Sequence, residues 1–249
     1  MMTASTRGGG PRISVLDADP ELARWVTPGE MGAARRDTVV PVAVVNYGIW
    51  EPEPPHACGW RHFGYLVLEG VLAREERLAG STSIDLVGPG ELLQPWVEDA
   101  DHILVPHTVT WTVLEPARLG VLGPTFVASV ARWPVVTAAL LGRAVRQSSR
   151  AATLHGICQL SHVDMRLLVL FWHLAERWGR VGGEGVVLPL RLHHELLGHL
   201  IGAKRPTVTL ALRRLTEREL VQRRPDGTWV LPSAPPDEIA EFRALVSRA

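Results

Sequence analysis

Cysteine occurs only twice in the 249 residues, as Cys58 and Cys158. That excludes a disulfide framework, and four-cysteine zinc or iron–sulfur sites cannot be built. A reducing cytoplasm fits this usage best. Lysine is scarcer still: Lys204 stands alone, and arginine supplies all the other basic side chains. No apolar run is long enough to cross a bilayer, the longest candidates being broken by Arg143 and Arg166. The opening MMTASTRGGGPR shows no apolar h-region, so no signal peptide and a loose polar start are expected. Net charge is missing as well, with 26 basic residues against 26 acidic ones. That balance conceals a polarity. Residues 1–132 hold 10 basic and 16 acidic side chains, whereas residues 133–249 hold 16 and 10. Such an imbalance arises by drift, but it also gives one domain a face for a polyanion.

What is present suggests two packed domains, since 46% of the side chains are hydrophobic and 21% charged. Residues 37–122 contain short apolar runs parted by turn formers: TVVPVAVVNYGIW, GYLVLEGVLA, STSIDLVGPGELL, DHILV, VTWTVL and ARLGVL. Runs of this length, rich in Val, Thr and Leu, predict strands of a sandwich or barrel. Pro41 marks an edge or a bulge there, and EPEPPHACGW is a loop by its prolines. From about Thr125 the pattern turns helical. FVASVARW makes a short helix and Pro134 opens a long one. The long helix has an apolar stripe of Val136, Leu140, Ala144, Ala151, Leu154 and Cys158, which serves either a partner helix or the chain's own core. VDMRLLVLFWHLAERWG is a second apolar helix, stopped by Gly179 and a GRVGGEG loop. There follow a strand (VVLPL), two helices, and the hairpin LVQRRPDGTWVL turning at Pro225-Asp226-Gly227. PSAPP is a linker, and EIAEFRALVSRA a small terminal helix.

The two helices lie in HHELLGHLIGAKRPTVTLALRRLTEREL, residues 193–220. A zinc-hydrolase helix needs His-Glu-x-x-His, which stacks two imidazoles one turn apart. Here His199 follows His194 by five residues. That step is about 500° of helix, leaving the rings roughly 140° apart around the axis. They cannot share an ion, and no metal ligand set is expected. The other half of the segment explains more. Gly202 suits a turn between helices, and Gly198 lets the second helix cross close to the first. Leu197, Ile201, Val208 and Leu212 would form the contact. Lys204, Arg205, Thr207, Thr209 and Arg213 would then project outward, on a helix able to enter a major groove. Arg223 and Arg224 lie on the following hairpin, a wing able to touch the phosphate backbone. Between Leu190 and Leu231 there are eight basic and four acidic residues, which suits that task. The bland alternative is a helical hairpin with a solvated basic face.

In order and content the chain resembles the Crp/Fnr family of bacterial transcription regulators, over roughly residues 37–232. The resemblance is carried by GYLVLEGVLA, LVGPGELL, VDMRLLVLFWHLAER and LLGHLIGAKRPTVTLALRRL. It implies an α+β fold: an N-terminal β-barrel (a cyclic-nucleotide-binding-like jelly roll), a long dimerisation helix, and a C-terminal winged helix-turn-helix. The division expected is a flexible or partly ordered start (1–36), an effector-type barrel (37–132), a dimerisation helix (133–161), the DNA-binding domain (162–232) and a tail helix (233–249). The resemblance also implies a homodimer on a two-fold symmetric operator. The family's cyclic-AMP binders follow G-E-[LI] with an arginine and a serine or threonine for the phosphate. This chain keeps Gly90-Glu91-Leu92 but offers His107-Thr108 at the arginine position. Where those binders present threonine and serine from the helix, Ala151 and Ala152 stand. Both departures argue against cyclic AMP. Family members with an iron–sulfur cluster use cysteines this chain lacks. For His56, Cys58, His62 and His107 a loop or surface role outweighs haem ligation, so no cofactor is expected. Pro206 and Leu210 replace the base-reading glutamate and arginine common in the family, while Arg205 keeps its place.

The reading is a cytoplasmic, non-enzymatic, dimeric DNA-binding regulator under an unidentified effector. Glu91, Gln94, Trp96, His107 and Thr108 are the effector-pocket candidates. Two competing readings stand beside it. One is a cupin-like metal-dependent enzyme, which lacks the required H-x-H pattern. The other is a ligand-independent regulator whose barrel is structural.

Overall fold

A computed structural model describes residues 11–52, 62–95, 107–237 and 239. The chain divides into two compact units, residues 1–150 and 151–249.

Residues 11–36, which the sequence assigns to a flexible or partly ordered start, carry regular structure. Strand β1 (Arg12–Ser14) leads into helix α1 (Val15–Ala18), a 3-10 turn (Pro20–Ala23) and helix α2 (Met31–Asp37). The Ser14 hydroxyl accepts from the Leu16 amide and caps α1. It also lies 3.1 Å from the Thr38 hydroxyl, in a buried contact. Val15, Leu16 and Leu22 are fully buried with Leu66, Leu122, Phe126, Val136 and Leu140. Elements of three to seven residues are too short to show a period, which hides them from sequence inspection.

The sheet of this unit consists of β1 with β2 (Val39–Val45), β3 (Gly48–Trp50), β4 (Gly64–Leu78), β5 (Ser81–Val87), β6 (Leu92–Leu93) and β7 (His107–Leu122). Its order is β1–β2–β7–β4–β5, with β3 added on β7 and β6 on β4. Among the described residues it is jelly-roll-like, as expected of this unit, and its strand order is open rather than closed. The long antiparallel ribbon β4–β7 is its spine. Register shifts between Val67 and Leu72 bend that ribbon. Gly70 takes φ +86° at the bend, and a Cβ there would lie 2.4 Å from the Pro116 carbonyl oxygen. VTWTVL and ARLGVL, which read as separate runs, are one strand. Pro116 is tolerated inside it because the bulge leaves it out of the ladder. Pro41 likewise falls one residue before the β2–β7 ladder begins at Val42. Trp50, Tyr65, Val67, Leu72, Trp111 and Leu119 form the core of the bend, with Trp50 edge-on to Tyr65 and Trp111. Trp60 and Trp96 lie outside the described residues.

After α3 (Pro124–Val130) comes the long helix α4 (Pro134–Cys158). Val136 and Leu140 are buried in their own unit's core, whereas Ala144 and Ala151 are exposed. The stripe expected along this helix is therefore two surfaces. The exposed apolar row is a different one: Ala138, Leu141, Val145 and Ala152, with Leu141 66% and Val145 58% exposed.

In the second unit α5 (Val163–Trp178) buries Leu167, Leu168, Leu170, Phe171 and Leu174. The segment that reads as a GRVGGEG loop contains strand β8 (Arg180–Gly182), which pairs with β9 (Gly185–Leu188) through a tight turn. Helices α6 (His194–Ile201) and α7 (Arg205–Glu217) follow, then β10 (Gln222–Arg223) and β11 (Trp229–Leu231). The four strands run β10–β11–β9–β8. Trp229 is buried against Phe171, their rings 4.9 Å apart, and so pins the β10–β11 hairpin to α5. The expected tail helix falls almost wholly outside the described residues.

Candidate nucleic-acid interface

Two glycines make the α6–α7 corner. Gly202 ends α6 in the left-handed region (φ 64°, ψ 42°), where a side chain would be strained. The Ala203 amide then donates to the Gly198 carbonyl at 2.8 Å. At Gly198 itself an added Cβ would lie 2.5 Å from the Ala203 carbonyl oxygen, so the turn needs a residue without one. Leu196, Leu197, Leu200 and Ile201 of α6 meet Val208, Ala211, Leu212 and Leu215 of α7, all buried. Each large apolar side chain so buried contributes about 1.5–3 kcal/mol. That packing fixes which face of α7 is left to solvent.

The solvent face carries Lys204, Arg205, Thr207, Thr209 and Arg213, all exposed. Lys204 is the N-cap residue, and its side chain makes no capping bond. Arg205, Thr209 and Arg213 recur at every fourth position, which sets them in one row. Leu210, 57% exposed, adds an apolar group beside that row. Arg213 has an ion pair with Glu217 at 2.8 Å, one helical turn on. With both partners in water this pair is worth about 0.3–0.5 kcal/mol and yields readily to a stronger anion. Arg214 differs. It grips Asp164 of α5 through two bonds of 2.7 and 2.5 Å, and this pairing raises its already high pKa. Arg214 therefore holds α7 against α5.

On the wing, Arg223 is exposed and its guanidinium lies 5.7 Å from the Trp229 ring centroid. Arg224 is half-buried, and its amide donates to the Thr228 carbonyl at 2.9 Å, closing the Pro225-Asp226-Gly227 turn. Asp226 accepts from the Thr228 hydroxyl and amide, which lowers its pKa. Thus the structure brings together Lys204, Arg205, Thr207, Thr209 and Arg213 on one helix, with Arg223 and Arg224 on the adjoining hairpin.

Sequence reasoning weighs His194 only as a metal ligand and misses its setting. Its Nδ1 lies 2.9 Å from the Thr209 hydroxyl, which itself donates to the Arg205 carbonyl at 3.0 Å. Burial lowers the His194 pKa, and Arg223, Arg205 and His193 lower it further. No signal in the sequence pairs residues 194 and 209, since the corner at Gly202 creates that contact.

The effector candidates are not gathered into one place. Glu91 and Gln94 flank β6, which pairs with Tyr65 and Leu66 at the start of β4. His107 and Thr108 pair with Leu78 and Arg77 at its far end. Trp96 lies outside the described residues, as do His56 and Cys58. Glu91 is buried, accepts from the Gly88 amide at 2.8 Å and pairs with Arg150 of α4 at 2.7 Å. Two more α4 side chains reach the same loop. Arg143 donates to the Gly90 carbonyl at 2.7 Å while pairing with Asp19 and Glu21, and Gln147 accepts from the Leu92 amide at 3.3 Å. Burial raises the Asp19 pKa against the pull of Arg143. Gln94, exposed, donates to the Phe63 carbonyl at 3.4 Å. His107 lies 3.8 Å from Glu76. No cluster of three potential metal ligands occurs among the described residues, and none of their helices is long and apolar enough to cross a membrane.

Residues 165–233 match the family model of the Crp-like helix-turn-helix domain. No curated protein gives a significant match. Among solved structures, the chain is similar to a CooA variant from Carboxydothermus hydrogenoformans, with TM-score 0.59 and 15% identity over 82% of this chain and 87% of that one. It is similar to FixK2 from Bradyrhizobium japonicum, with TM-score 0.59 and 15% identity over 77% and 92%. A CRP/FNR-family transcriptional regulator from Thermus thermophilus gives TM-score 0.56 and 19% identity over 80% and 98%. At 15–19% identity these likenesses establish the fold.

Proposed function

From a Crp-like helix-turn-helix domain at residues 165–233, in a chain with the fold of Crp/Fnr regulators, we propose that the protein is a homodimeric, cytoplasmic transcription regulator that binds a palindromic DNA operator. The observation that carries this reading is the exposed row on α7. Val208, Ala211, Leu212 and Leu215 are packed away, so Arg205, Thr209 and Arg213 are left as an exposed row with two cations, on a helix of the kind a major groove admits. Arg205 is suited to a forked contact with guanine, Leu210 to a thymine methyl group, and Lys204 with wing Arg223 and Arg224 to phosphates.

A second copy of the chain is the partner that suits α4. Ala138, Leu141, Val145 and Ala152, with Ser148 between, alternate by three and four residues, the spacing of a paired-helix seam. An effector other than cyclic AMP would act by favouring one orientation of the reading helices.

The test is selection of duplexes from a random library by the full chain, followed by binding at several salt concentrations. A two-fold symmetric consensus is expected, with half-sites about one helical turn apart. Arg205→Ala should relax one position of each half-site and weaken binding by about 1–3 kcal/mol. Enrichment of no sequence, together with retention of binding in an Arg205→Ala/Arg213→Ala chain, would overturn the proposal.

A further inference from the structure

We propose that His194 is a positioning residue of this interface: its Nδ1–H fixes the hydroxyl of Thr209, and its Nε2 takes up a proton as DNA phosphates approach. The inference deepens the DNA-binding reading and rests on it.

The first half follows from counting protons. Thr209 has one hydroxyl hydrogen and donates it to the Arg205 carbonyl at 3.0 Å. The imidazole nitrogen 2.9 Å from the same oxygen must therefore be the donor. The Thr209 side chain is held between α6 and its own helix, one turn beyond Arg205 on the reading face. Holding it removes rotamer freedom that would otherwise be lost on binding.

The second half follows from the tautomer. With hydrogen on Nδ1, only Nε2 is left to titrate. The groups around the ring are Arg205 and Thr209 from α7, Arg223 from the wing strand β10, and His193 and Glu195 in its own segment. Burial first, then Arg223, Arg205 and His193, hold the imidazole below the ordinary histidine value in the free protein. A duplex brings fixed negative charge to this same face. It offsets the repulsion from the arginines and favours the imidazolium. The pKa is then higher in the complex than in the free chain, so binding takes up a proton between the two values. Affinity rises as pH falls through that window and is flat above it.

The experiment uses the full chain and the duplex enriched in the selection above, fluorescein-labelled. Anisotropy titrations run from about pH 8 down to about pH 5.5 at constant ionic strength, spanning the ordinary histidine range, for the parent, His194→Asn and His194→Leu. Asparagine keeps a donor to the Thr209 hydroxyl but does not titrate; leucine keeps neither. The parent is expected to tighten with falling pH, by up to about tenfold per unit at the steepest point, as one proton requires. His194→Asn should match the parent within about twofold at the alkaline end and lose that part of the pH slope, while His194→Leu binds at least about fivefold more weakly throughout. Amide exchange of α7 in each variant separates positioning from unfolding. An asparagine variant whose pH profile overlays the parent's overturns the proton uptake. A folded leucine variant with parental affinity overturns the positioning. Failure of the parent to bind any duplex refutes the DNA-binding reading instead.

Discussion

Replacing Gly198 by alanine reverses a usual rule and tests the helix–turn–helix geometry directly. In a helix interior, glycine to alanine normally stabilises by about 1 kcal/mol through backbone entropy. Here the new methyl would stand 2.5 Å from the Ala203 carbonyl oxygen and 3.7 Å from Val208 Cγ2. An ordinary C···O contact begins near 3.3 Å, so the overlap is about 0.8 Å against backbone. The clashing carbonyl belongs to the residue after Gly202, in a turn already closed by the Ala203–Gly198 hydrogen bond, so it cannot swing aside alone. Forcing a methyl into such a corner costs about 1–3 kcal/mol or more. Set against the propensity gain of about 1 kcal/mol, the net expectation is a loss of up to about 2 kcal/mol. The paired control is Gly156→Ala in α4, where an added Cβ meets nothing within 4 Å. That change should stabilise slightly. Because a chain of two units need not unfold in one step, amide hydrogen exchange in α6 and α7 is the suitable assay. Protection there should fall by roughly tenfold in Gly198→Ala, at about 1.4 kcal/mol per decade. Equal or greater protection would show that α7 does not cross at this glycine, and the assignment of its outward face would fail with it.

Lys204→Ala should weaken DNA binding almost equally for every sequence and lower the salt slope by about one, as read from affinities between low and high salt. An unchanged slope would remove Lys204 from the phosphate contacts. Leu141→Glu should shift the sedimentation profile from dimer to monomer, since like charges would face each other across a two-fold seam. A dimer that survives both Leu141→Glu and Val145→Glu would place the contact elsewhere. Arg150→Met should destabilise the N-terminal unit by about 1–2 kcal/mol, because it removes the cation beside a buried carboxylate that keeps its Gly88 amide bond, although the guanidinium itself is partly solvated. Adding Glu91→Gln should recover part of that loss, and strict additivity in the double variant would show the two residues to be uncoupled.

The helix-turn-helix and its wing are readable because every signal there is local. Gly198 and Gly202 mark the corner, the 3–4 spacing of Leu197, Ile201, Val208 and Leu212 gives the buried side, and Pro225-Asp226-Gly227 gives the turn. Elsewhere the deciding interactions are remote. β8 is three exposed residues with no apolar alternation, so it reads as loop. Pro116 looks like a break because the bulge that excuses it is made at Gly70, on another strand. In the first turns of α4, Val136 and Leu140 face one way while Ala138 and Leu141 face another. Both sets are apolar, and periodicity alone does not say which belongs to the unit's own core. Expected position in the barrel and the family resemblance nominate the effector candidates, whereas the register of β4 sets His107 and Thr108 at its other end. Spacing to His199 frames His194 as a ligand question, and its actual neighbour lies around the corner.

The ties from α4 to the 88–92 loop differ in what they ask of the genetic text. Arg143 and Gln147 bind main-chain atoms, the Gly90 carbonyl and the Leu92 amide, which any residue but proline would offer. Arg150 instead addresses a side chain, that of Glu91. Position 90 is constrained for another reason, since its φ of +83° strains any residue with a side chain. Homologous chains that keep this arrangement should therefore vary freely at position 92 within apolar limits, hold glycine at 90, and exchange residues 91 and 150 only as a pair.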